Sequence, residues 1–104
     1  MQKNKYTVAL MTPIGIRNGI MDIQIRGRTA SGIIHILGKA QPFSGEIDEG
    51  GKCKFSGKIE TLKRIIFYDA IGIVTRDKIE LSLKGNAESF RLMGERLDRI
   101  STSM

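Results

Sequence analysis

Few side chains in this 104-residue chain carry the chemistry of catalysis or ligation, and they do not converge. His35 is the only histidine and Cys53 the only cysteine. One imidazole and one thiol make no tetrahedral metal set, and neither has an identifiable partner that would activate a nucleophile. A lone cysteine has no internal disulfide partner and reads as a small core hydrophobe. Lys52, Lys54 and Lys58 recur at even spacing and are followed by Lys63 and Arg64, so a strand there would set out a phosphate-binding stripe. Glu46, Asp48 and Glu60 sit among them, however, and no aromatic residue is interleaved for base stacking, which leaves nucleic-acid binding the minor reading. The formal net charge of +6 is spread from Lys3 to Arg99, as on a solvated surface. The chain is therefore expected to be non-enzymatic, with no metal or cofactor.

The elements that must position these residues are strands. Twelve glycines, two prolines and short segments rich in Ile, Val, Leu and Thr predict an all-β protein. A first strand is expected at Tyr6–Met11, ended by Thr12-Pro13, with a loop from Ile14 to Asn18. Met21, Ile23 and Ile25 alternate with Asp22, Gln24 and Arg26, which predicts a strand over Gly19–Arg26 and, after a Gly27-Arg28 turn, another over Thr29–Leu37. That turn sets Ile25 opposite Ala30, Ile23 opposite Gly32 and Met21 opposite Ile34. From Pro42 to Ile59 the chain reads as a hairpin in which Phe-Ser-Gly occurs twice. A Glu49-Gly50-Gly51 loop then opposes Ile47 to Cys53, Gly45 to Phe55 and Phe43 to Gly57, while Glu46 meets Lys54 outside. After a Thr61–Arg64 linker, strands follow at Ile65–Thr75 and Lys78–Lys84 around an Arg76-Asp77 turn. The last segment is read as a strand on a Gly85-Asn86 turn, with Leu81 against Phe90 and Ile79 against Leu92, although Phe90, Met93, Leu97 and Ile100 also recur at helical spacing.

Eight strands in a meander bury one face and lose their edges most economically by closing into an antiparallel up-and-down barrel. Residues 1–97 form this single domain, and 98–104 make a frayed tail. No apolar run approaches the ~18 residues of a membrane span, and MQKNK leads into a strand instead of an apolar signal core, so a cytoplasmic location is the default.

Thr12-Pro13-Ile14-Gly15, Ser31-Gly32, the two Phe-Ser-Gly units and Phe90-Arg91-Leu92-Met93-Gly94-Glu95-Arg96, after the aromatic Tyr6, resemble the pattern of a family of small bacterial domains, mostly uncharacterised. The match covers nearly the whole chain, with Arg76-Asp77 where the family usually shows Gly-Asp. The resemblance implies a lipocalin- or streptavidin-like barrel and, since similar segments occur attached to flavin-dependent oxidoreductases, such an enzyme as a partner. It implies no catalytic residue.

Two kinds of binding surface follow. Gly32, Gly45, Gly57, Gly72 and Gly94 face inward, where they either leave a cavity for a small apolar ligand or receive the large residues opposite them. In the first case Tyr68, Phe43, Phe55 and Phe90 would line the interior, with Glu88, the one inward acid, and Thr12 and Pro13 at the mouth. Outward-facing Phe67, Ile71 and Ile73, together with Ile33 and Leu37, are more apolar surface than a monomer usually shows, and predict a homodimer unless the C-terminal segment covers them. His35 falls on the same outer face as Ile33.

Overall fold

The computed structural model describes residues 2–13 and 15–97. Eight strands run in order: β1 (Gln2–Thr12), β2 (Gly15–Arg26), β3 (Thr29–Ile36), β4 (Lys39–Ile47), β5 (Lys52–Glu60), β6 (Ile65–Val74), β7 (Lys78–Lys84) and β8 (Ser89–Arg96). Each pairs antiparallel with its sequence neighbour, and β8 returns to β1, so the sheet is a closed up-and-down barrel. The alternation dictates what goes inside: Tyr6, Val8 and Leu10 of β1, Met21 and Ile23 of β2, and Ile79, Leu81 and Leu83 of β7 are all buried. Charged residues alternate outward along the same strands.

The three expected hairpin registers are present. Ile23 faces Gly32, Phe43 faces Gly57, Gly45 faces Phe55 and Gly72 faces Leu81. At the β4–β5 turn Gly51 has a φ of 92°, the left-handed conformation that the loop needs, and the Asp48 carboxylate accepts from the N–H groups of Gly50 and Lys52, both at 2.9 Å. Glu46 and Lys54 are cross-strand neighbours but make no ion pair.

Several expectations are corrected. β1 begins at Gln2, four residues before the expected start, because Asn4 takes an inward position where its amide donates to the Tyr6 hydroxyl. Of the loop expected over Ile14–Asn18, Ile14 lies outside the described residues and the rest is strand: Gly15 already pairs with Thr12, whose hydroxyl donates to the Gly15 carbonyl at 2.6 Å. β3 stops at Ile36, since Leu37 and Gly38 both have positive φ, 59° and 74°, and form the turn. β4 starts at Lys39, ahead of Pro42. The β7–β8 register differs by two residues, with Leu81 facing Leu92 and Leu83 facing Phe90. Its turn is Asn86-Ala87, closed by the Gly85 N–H donating to the Glu88 carbonyl, and moving a turn by one residue moves the pairing by two. The C-terminal segment is strand as far as Arg96; Ile100 and the expected tail over 98–104 lie outside the described residues.

Glycines bring the strands close enough to close this wall. A Cβ at Gly32, Gly45 or Gly72 would overlap the carbonyl oxygen of Asp22, Lys54 or Glu80 on the adjacent strand. At Gly57 it would lie 2.7 Å from the Tyr68 hydroxyl, and at Gly94 2.7 Å from a Val8 methyl. The inward glycines are thus occupied by neighbouring strands, and the absent side chains leave no room for a ligand at their positions.

Candidate functional site

One end of the barrel is formed by the Gly27, Gly50 and Arg76 turns, and the other by the turns at Pro13, Leu37-Gly38, Thr61–Arg64 and Gly85–Glu88. At the second end the inward strand residues stop short of the turns and leave an open depression of about 650 Å³. Its floor is apolar, made by Leu10, Ile59, Ile66 and Phe90, the buried side chains nearest that end on β1, β5, β6 and β8. The rim carries Thr12, Pro13, Leu37 and Leu62 together with charged groups.

Short-range polar contacts hold that rim in place. Thr61 accepts through its hydroxyl from the N–H groups of Lys63 and Arg64, at 3.2 and 3.1 Å, and donates to the Arg64 carbonyl. The turn so fixed leaves Leu62 fully exposed. Arg64 pairs with Glu88 across the gap between two turns, and Lys39 pairs with Glu60 at 3.7 Å. Beneath the rim, buried Gln41 donates to the carbonyls of Ile36 and Glu60 and accepts from the Glu60 N–H at 2.9 Å, tying the ends of β3, β4 and β5 together. Arg17, Lys39, Lys63 and Arg64 face only Glu60 and Glu88, so the rim is cationic. Such a site can hold an apolar body against its floor and an anionic group at its edge.

The expected site residues divide between places. Thr12, Pro13, Phe90 and Glu88 all border the depression. Phe43 and Phe55 do not: their rings pack against each other in the core, tilted by 41° with centroids 5.0 Å apart. Tyr68 is buried opposite Gly57 and borders a separate groove of about 460 Å³ between the start of β6 and the Gly85–Glu88 turn. Its phenol has no hydrogen-bond partner among the described residues, and burial pushes its pKa up to about 12. Cys53 is buried as expected, and desolvation raises its thiol to about 11, a Gly72 backbone hydrogen bond opposing and the Asp48 charge adding to the rise.

Of the expected interface residues, Phe67, Ile71 and Ile73 share the outer face of β6 with Ile65, which sequence reasoning did not include. Ile33 lies three strands away on β3, and Leu37 belongs to the rim of the depression. His35 lies outside the wall, 3.3 Å from Asp22, which also pairs with Lys5. Among the described residues no group of three or more His, Cys, Asp or Glu could hold a metal ion. The floor residues Leu10, Ile59 and Ile66 were missed because a strand pattern marks them only as inward. The signal for Leu62 was present: an apolar residue at the tip of a polar turn. No family model, no curated protein and no solved structure matches this chain.

Proposed function

We propose that this barrel is a non-enzymatic binding module that takes a small apolar ligand on its open end, above Leu10, Ile59, Ile66 and Phe90, instead of inside the strands. The observation that carries the reading is a depression of about 650 Å³ with an apolar floor, a size typical of small-molecule sites. The lumen offers less, since its glycine positions are filled by neighbouring backbone. Leu37 adds support: a non-glycine residue held at a φ of 59° costs about 1 kcal/mol, and such strain gathers at ligand sites. Titration of the folded protein with the fluorescent apolar anion 1-anilinonaphthalene-8-sulfonate should saturate at one site, and Leu62→Asp or Phe90→Leu should weaken binding while leaving the melting transition cooperative. Absence of saturable binding, or binding indifferent to both substitutions, would overturn the reading.

A further inference from the structure

On the outer face of β6, Ile65, Phe67, Ile71 and Ile73 are exposed, Phe67 at 71% and Ile71 at 56%, with Asp69 in their midst. Single exposed apolar residues are ordinary, but a strand that presents four on one face needs a cover. The flanks of this stripe say what the cover is. On one side β5 places Lys52 beside Ile73, Lys54 beside Ile71 and Ser56 beside Asp69. On the other, β7 places Glu80 beside Ile73, Ser82 beside Ile71 and Lys84 beside Asp69. Lys52, Lys54, Glu80 and Lys84 make no ion pair among the described residues.

We propose that a second copy of this chain covers the stripe, related by a two-fold axis that runs along β6. A rotation about that axis keeps each residue at its own level along the strand and exchanges the two flanks, so β5 of one copy lies over β7 of the other. Lys52 then meets Glu80 of the partner subunit, and Lys54 meets Ser82 of the partner subunit. Asp69 leans toward β5, accepting from the Ser56 hydroxyl at 2.8 Å, and so approaches Lys84 of the partner subunit. An axis across the strand would instead stack β5 on β5, setting Lys54 against Lys58 of the partner subunit where it crosses at Asp69 and against its own copy where it crosses at Ile71. The stripe is thus self-complementary in one orientation, as a two-fold interface requires, with an apolar centre and a charged margin. Twisted sheets pack face to face at about 30°, so the axis lies about 15° from the strand direction.

Sedimentation of the intact chain across a concentration series should show a reversible monomer–dimer equilibrium. Ile71→Lys should weaken it at least about tenfold, as loss of a central contact does. Lys52→Glu and Glu80→Lys should each weaken it, and the double reversal Lys52→Glu/Glu80→Lys should restore it, most clearly at low ionic strength. All three substituted positions are on an exposed face, and far-ultraviolet circular dichroism checks that the barrel persists. A monomeric mass at every concentration, a dimer indifferent to Ile71→Lys, or a double reversal no better than the singles would each overturn the proposal.

Discussion

At Gly72 a methyl group has nowhere to go, because a Cβ there would overlap the Glu80 carbonyl and stand 2.8 Å from the Leu81 Cα. Backbone cannot yield as a side chain can. At Gly57 one of the two close obstacles is the Tyr68 hydroxyl, at the end of a side chain, and the other is the Pro42 carbonyl at 2.8 Å. Gly57→Ala should therefore cost about 1–3 kcal/mol of stability and Gly72→Ala more, read as urea midpoints. Equal midpoints for the two would mean that the strands separate more easily than this packing implies. These glycines were legible because each faces a large residue in the hairpin register. Gln41 was not: it occupies an inward position of the alternation, where a polar residue reads as an inconsistency until its partners at Ile36 and Glu60 are in place. Replacing it with Leu would orphan the partly buried Glu60 N–H and the carbonyls it serves. A loss of about 1–3 kcal/mol is expected in thermal or chemical unfolding.

Turns set where each strand begins, and the Leu37-Gly38 turn shows what sequence pattern alone misses at this level. Gly38 invites a turn, but nothing in the pattern announces that Leu37 shares its left-handed backbone. Leu37→Asn should relieve that strain and raise the unfolding free energy by about 1 kcal/mol, while removing an apolar wall from the rim. Stabilisation without any loss of probe affinity would show that Leu37 is not held there for binding. The β7–β8 turn teaches the complementary lesson. Gly85-Asn86 and Asn86-Ala87 leave the same residues facing inward, since a two-residue shift preserves the alternation, so hydrophobic pattern could not choose between them. Tertiary closure chose. β8 must also match β1, where Leu92 faces Leu10 and Gly94 faces Val8.

For the molecule as a whole, burial of the Cys53 thiol and the Tyr68 phenol couples stability to alkaline pH. Their ordinary values of 9.0 and 10.0 rise to about 11 and about 12 in the folded barrel. The folded chain thus holds both groups neutral where the unfolded chain has begun to ionise. Their contribution is fully present below pH 9 and is lost as pH rises through this window, so urea midpoints should fall between pH 9 and 12. Cys53→Ala should remove the earlier part of the fall; an unchanged profile would mean that the thiol is not desolvated. By itself, the sequence determined the all-β class, the inward and outward sets, three hairpin registers and the up-and-down order. Each of these depends on a period of two and on turns between neighbours in the chain, which are local quantities. Only the tertiary structure decided that the inward glycines are filled, that Leu10, Ile59, Ile66 and Phe90 end together beneath one depression, and that Lys52 and Glu80 flank the same apolar stripe. Those facts depend on how closely adjacent backbones approach and on which residues of three or more strands come level, and a period of two within one strand reports neither.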